Sequence, residues 1–279
     1  MTESRSGARR DLPTIPATLA PMAAAFGEAL DEGLAELGLL ATPAAAPRAR
    51  RSYEAHARLL REWGAAINLT AIREPADIAR RHVCDSLSAV PRLAQLVDPG
   101  SSLLDIGSGA GYPGLPLAAA LPWARVGLLD SIVKKARFLA VAAVAVSDIL
   151  AADDGGGPRI EAIAERAEDL AEEPDQRDAW DVVSVRAVGS LAEVVELGLP
   201  LARTGGLLVA WKREEERGGL RDELRDAGSI IRATGGGRPE VVAIESVALA
   251  GHRLVFVPKQ HPTPASYPRP AGRRRRRRR

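Results

Sequence analysis

The chain has 279 residues, 46% of them hydrophobic. That suffices for one sizeable α/β core with a smaller appendage and excludes wholesale disorder. A single cysteine, Cys84, excludes an internal disulfide, and no apolar run reaches the length of a membrane span, so the chain reads as cytoplasmic. The net charge of +2 is uneven: setting aside the seven arginines at 273–279 leaves −5 for everything before them.

Residues 1–45 read as a poorly ordered or helical extension. Positions 1–21 have breakers and few periodic apolar residues, and one amphipathic helix is expected at 22–40. "ATPAAAPRAR" follows as a proline-punctuated linker. Ser52 is expected to N-cap "YEAHARLLREWGAAI", where Tyr53, Ala57, Leu60 and Gly64 share a stripe. Pro75 opens a second helix, "ADIARRHVCDSLSAVPRL", which aligns Ile78, His82, Asp85 and Ser88. These helices define a small helical domain at 46–97. Within it, residues 48–92 carry nine arginines against five acidic residues, a block of +4, with His56 and His82 as further candidate cations. Such a block is either the footprint of a polyanion or a solvated helix face.

From residue 98 to 260 the texture is that of an α/β domain. "SLLDI", "ARVGLLD", "PRIEAIAER", "AWDVVSVRAV" and "GGLLVAWK" are strands separated by helical segments, which predicts a parallel sheet. "RPEVVAIESV" and "GHRLVFVPK" are joined by a connection too short for a crossover helix, so the sheet should end in an antiparallel hairpin. Residues 261–279 are proline-rich and then purely basic, and are expected to be a disordered tail.

The chemistry concentrates in "LLDIGSGAGYPGLPLA", residues 103–118. Gly107, Gly109 and Gly111 lie where a strand turns into a helix and let a ligand approach the backbone. The glycines alone suit a dinucleotide or S-adenosylmethionine. Asp105 separates the two, because a carboxylate beside the loop repels a pyrophosphate and attracts an ammonium or sulfonium. At about 4 Å and an effective dielectric near 20 that is worth roughly 4 kcal/mol before desolvation. Asp130, 19 residues beyond Gly111, can accept ribose hydroxyls. The residues therefore predict an S-adenosylmethionine-dependent methyltransferase with a polyanionic substrate. A nicotinamide oxidoreductase and a non-catalytic binding factor that keeps S-adenosylmethionine as a structural ligand are the alternatives.

In this order, "NLTAIREPADIARRHVCDSL", "LLDIGSGAGYPGLPLA", "LLDSIVKKARFL", "ERAEDL" and "DVVSVRAVGSL" resemble the RsmG (GidB) family of 16S ribosomal RNA guanine-N7 methyltransferases, over residues 53–212. Asn68, Leu69 and Thr70, then Arg81-His82 and Asp85-Ser86, distinguish this family from other methyltransferases. The resemblance implies a Rossmann-like methyltransferase sheet and methyl transfer to guanine 527 of 16S ribosomal RNA, naked or in the small ribosomal subunit. It implies that Gly107 and Tyr112 line the cofactor, Asp130 and Ser131 meet its ribose, and Ala167 and Glu168 flank the adenine. Arg186 would touch both cofactor and substrate guanine as the catalytic residue. Arg80, Arg81 and His82 are the candidate RNA contacts.

Each assignment has a plainer alternative. Arg186 could pair with Asp181 or Glu193, His82 could be a core histidine, and Lys134 and Lys135 a solvated face. Trp63, Trp123, Trp180 and Trp211 read as packing residues, and Cys84 as a small buried one. No metal-ligand spacing is present, and a monomer is expected.

Overall fold

The computed structural model describes residues 12–152, 156–214 and 219–270. The expectations for residues 1–11 and for the seven-arginine tail lie outside the described residues.

Seven strands form one sheet, in the order β3-β2-β1-β4-β5-β7-β6. They are β1 (Ser102–Ile106), β2 (Arg125–Leu129), β3 (Arg159–Ile163), β4 (Trp180–Arg186), β5 (Ala202–Arg213), β6 (Glu240–Ala243) and β7 (His252–Pro258). The first five are mutually parallel, while β7 runs antiparallel to both β5 and β6. This is the Rossmann-like methyltransferase sheet expected from the sequence, with the reversed strand inserted between β5 and β6. The central strands read as continuous apolar runs because both faces are covered. Leu103, Val126 and Val182 face one core, and their neighbours Leu104 and Val183 face the other.

Helices α6 (Gly114–Ala120) and α7 (Val133–Ala151) cover the first face. Helices α8 (Ala167–Leu170), α9 (Leu191–Gly198) and α10 (Gly219–Ala233) cover the second. The preceding helices are α1 (Ala24–Glu36), α2 (Pro47–Gly64), α3 (Pro75–Ile78), α4 (Asp85–Leu87) and α5 (Val90–Leu96), with a π-helical turn at Ala79–Cys84 between α3 and α4. α2 lies against α6 and α7, so Tyr53, Leu60 and Leu87 share one apolar cluster with Leu103 and Phe138. The predicted stripe Tyr53, Ala57, Leu60 and Gly64 is buried, as are Cys84 and the four tryptophans.

Three local expectations are corrected. Ser52 is not an N-cap: α2 starts earlier, at Pro47, whose fixed φ suits a first helical position. Ser52 lies a turn inside, its Oγ donating to the carbonyls of Arg48 and Ala49. Residues 12–21 are tied to α2, since Trp63 Nε1 donates to Pro13 O at 2.8 Å and Leu19 packs on the core. Residues 261–270 are also held in place. Arg177 donates to the carbonyls of Thr263, Pro264 and Tyr267, and Arg269 pairs at 2.6 Å with Glu196, whose side chain is only 3% exposed. Proline-rich composition hid these anchors because each partner is far away in sequence. No described helix is long and apolar enough to cross a membrane.

Candidate functional site

A cleft of about 360 Å³ opens at the carboxyl ends of β1, β2 and β4, where neighbouring strands feed connections to opposite faces. Open α/β sheets bind ligands at such a switch point. The volume falls within the range of small-molecule sites. Of the predicted cofactor residues, Gly107, Asp130, Ser131, Ala167 and Glu168 line this cleft.

The glycine loop is shaped for close approach. Gly107 has φ +69°, and a Cβ there would meet Val188 Cγ2 at 2.6 Å. At Gly111 (φ +85°) a Cβ would meet Leu115 Cδ1 at 2.6 Å and His56 Nε2 at 2.9 Å. Only glycine takes such dihedrals without strain and also leaves that space clear. Gly109 donates its N–H to Asp130 Oδ2 at 3.0 Å, and Ile132 donates to Oδ1 at 2.8 Å. Asp130 thereby pins the loop to the end of β2, and each of its oxygens keeps a further lone pair for a hydroxyl.

Asp105 lies beneath the loop and is not part of the cleft lining. It is fully buried, and Oδ2 accepts from Ser108 Oγ (2.7 Å) and Gly114 N (3.0 Å), while Oδ1 accepts from Ser184 Oγ (2.9 Å). Burial pushes its carboxyl up to about 6, against the pull of these hydrogen bonds. Its work is to hold the loop and the start of α6. The charge argument passes to other residues: Asp130, Glu165, Glu168 and Glu193 line the cleft against Lys135 and Arg166. An acid-rich lining favours a cationic cofactor over a pyrophosphate. Lys135 and Glu193 were missed as lining residues. Lys135 lies one helical turn beyond Ser131, and that spacing was the available signal.

Tyr112 is also displaced from its expected place. Its ring is 4% exposed and stacks between His56 (centroids 4.4 Å apart) and His82 (4.6 Å), outside the cleft lining. His56 Nε2 lies 2.7 Å from Ala110 O and so carries the proton, fixing the loop from α2. Burial lowers His56 to about 4 and, with the Arg186 charge, His82 to about 3. Neither histidine adds charge to the basic block.

Arg186, at the end of β4, points its guanidinium into the helical segment. Nη1 pairs with Asp85 Oδ2 at 2.6 Å and reaches Arg81 O at 3.2 Å, Nη2 lies 3.0 Å from His82 Nδ1, and Cζ sits 5.6 Å above the Tyr112 ring. The alternative pairing with Asp181 does not form, because Asp181 is held by Ser102 and Arg203. The next two residues, Ala187 and Val188, line the cleft, which places Arg186 at its edge although its head group is turned aside. Of the candidate RNA contacts, Arg81 is exposed and Arg80 pairs with Glu32 at 2.8 Å. His82 is 7% exposed and turned inward, so its side chain is not presented to a macromolecule. Arg50, Arg58 and Arg92 are likewise paired, to Asp31, Glu54 and Glu240. Among the described residues no cluster of three or more His, Cys, Asp or Glu side chains could hold a metal ion.

A model of the GidB family, rRNA small subunit methyltransferase G, matches residues 50–228. The chain belongs to the GidB family. A Ribosomal RNA small subunit methyltransferase G from Symbiobacterium thermophilum is 36% identical over 251 residues, covering 90% of this chain and 96% of that protein. One from Roseiflexus castenholzii is 39% identical over 229 residues, covering 80% and 90%. Among solved structures, a T. thermophilus 16S rRNA N2 methyltransferase (RsmC) in complex with AdoMet and guanosine is similar at TM-score 0.40 and 19% identity, over 62% of this chain and 38% of that one. As a GidB member the chain is an S-adenosylmethionine-dependent methyltransferase. The cleft fits that cofactor: its lining brings the Gly107 backbone beside Asp130 and Ser131, which can accept and donate to ribose hydroxyls, with Glu165, Glu168 and Glu193 set to receive positive charge.

Proposed function

We propose that this enzyme transfers a methyl group from S-adenosylmethionine to N7 of a guanine in the 16S ribosomal RNA of the small subunit, at guanine 527. The observation that carries the reading is the setting of Arg186. It stands at the edge of an acid-lined cofactor cleft, and the histidine that holds it is kept neutral by burial and by the guanidinium charge. His82 Nδ1 receives a hydrogen bond from Arg186, so its proton sits on Nε2 and is donated to Thr70 Oγ1, 2.9 Å away. A nucleophile that had to lose a proton would be poorly served here. Guanine N7 has a free lone pair and nothing to lose, so alignment suffices.

Bound S-adenosylmethionine supplies an electrophilic methyl on a sulfonium. Asp130 and Ser131 would hold the ribose, Ala167 and Glu168 would flank the adenine, and the loop at Gly107 would admit the cofactor against the backbone. Arg186 orients the incoming guanine, with Arg81, and Arg80 once released from Glu32, toward the phosphates. Nucleotide mapping of small-subunit RNA from a deletion strain against its parent tests this. One N7-methylguanosine should vanish at position 527 and return on complementation. Unchanged RNA, or loss of methylation at another atom, would overturn it.

A further inference from the structure

The motif residues Thr70, His82 and Asp85 set this family apart, yet neither cofactor binding nor methyl transfer explains why they are needed. In the structure all three converge on Arg186. Asp85 is buried, and its two carboxylate oxygens are divided between β4 and β7: Oδ2 takes Arg186 Nη1 at 2.6 Å, and Oδ1 takes His252 Nδ1 at 2.8 Å. Its backbone carbonyl accepts Trp211 Nε1 from β5 at 2.7 Å. Three adjacent strands thus reach one helical residue, since Arg186 is in register with Trp211 and Trp211 with Leu254, two residues beyond His252. From the other side His82 Nδ1 accepts from Arg186 Nη2, while Nε2–H is fixed by Thr70 Oγ1, itself held by the N–H of Ile72 at 3.1 Å. The π-helical turn Ala79–Cys84 carries this geometry, directing the Arg81 carbonyl, His82 and, just after it, Asp85 at one guanidinium. π-turns recur at functional sites for this reason.

We propose that His252, together with Asp85 and the His82–Thr70 pair, are positioning residues that fix the guanidinium of Arg186 for methyl transfer. The proposal rests on the reading of Arg186 as the residue that orients the guanine. His252 lies on the β6–β7 hairpin, outside every motif of the sequence, and touches Arg186 only through Asp85. A long arginine side chain loses little freedom on its own, so a charge-assisted bond on each side of the guanidinium is what selects one orientation. Removing the His252 bond should leave cofactor and RNA binding intact and slow the transfer step.

The test is single-turnover methyl transfer to small ribosomal subunits purified from a strain lacking this enzyme. His252→Ala should slow transfer about tenfold, with RNA KM and cofactor affinity within about twofold of the parent. His252→Asn, whose side-chain N–H can take the place of Nδ1–H, should recover to within about threefold of the parent rate. In an Arg186→Ala background His252→Ala should add nothing, because the residue it acts through is gone. Nitrogen NMR of the free protein supplies a second readout. The two Nη signals of Arg186 should be resolved in the parent and in His252→Asn, and merged by rotation in His252→Ala. Slow Arg186→Ala with full-rate His252→Ala, or losses that multiply in the double variant, would overturn the positioning role while leaving the Arg186 reading intact. Full-rate Arg186→Ala would overturn both. Nη signals indifferent to His252 would overturn the positioning role by themselves.

Discussion

A histidine that accepts a hydrogen bond from a guanidinium has no lone pair left at that nitrogen to take a proton from a substrate. His82 is in this position, and burial with the Arg186 charge holds it at about 3, so it stays neutral across the physiological range. The single-turnover methylation rate should therefore stay nearly flat from roughly pH 6 to 8.5. Arg186→Ala should slow it about 10²-fold or more without introducing a pH dependence. A tenfold rise per pH unit, abolished in His82→Ala, would identify a general base and refute N7 attack. Asp105 makes the complementary case, a residue whose position was legible and whose role was not. Spacing placed a carboxylate beside the glycine loop, but only the fold shows that Ser108, Ser184 and Gly114 fill it from within. Asp105→Ala should leave those buried donors unsatisfied and lower unfolding stability by about 2–3 kcal/mol. A direct ligand would weaken cofactor binding and leave urea unfolding unchanged.

At the scale of elements, every strand was legible, because buried parallel strands announce themselves as short apolar runs between helices and a short connection cannot cross over. Ends and anchors were less so. The start of α2 was misplaced at Ser52 because a serine before a periodic run looks like a cap. Pro47 sits one turn earlier and decides the matter with its fixed φ. The segment 261–270 was missed because its partners, Arg177, Glu196 and Asp178 through Lys259, are scattered over three other elements and loops. This segment should be structurally necessary. Lys259 Nζ is wholly buried and relies on Asp178 and Thr263, and the buried carboxylate of Glu196 is paired by Arg269. Ending the chain at Gln260 should destabilise it by about 3–5 kcal/mol, the cost of leaving a buried charge without its partner. Ending it at Gly272 retains both anchors, and its urea midpoint should match the parent. Equal midpoints for the two truncations would show that the segment contributes nothing.

Across the whole molecule, the helical segment and the sheet are joined beside the Arg186–Asp85 pair by two histidines buried without charge, which ties the stability of the fold to pH. His56 fastens the glycine loop to α2, and His82 fastens Arg186 to the π-turn; the sequence offered both as cations of a basic face, because residue type gives no information about burial. Their folded-state values, about 4 and about 3, lie below the ordinary 6.5, so on acidification the unfolded chain takes up two protons that the folded chain refuses. That lowers stability as pH falls below about 6.5. Asp105 acts in the opposite sense, since its value of about 6 lies above the ordinary 3.8 and the folded chain binds the extra proton. Between about pH 4 and 6 the unfolded state therefore holds one more proton than the folded state. Unfolding free energy should then fall by about 1.4 kcal/mol per pH unit on acidification in that window. Urea titrations at pH 5 and pH 6 measure it directly. Asp105→Asn removes the opposing group, and the same interval should then show about 2.7 kcal/mol. A flat profile in Asp105→Asn would mean that His56 and His82 are both charged in the folded protein. The neutral tautomer on which the holding of Arg186 depends would then be wrong.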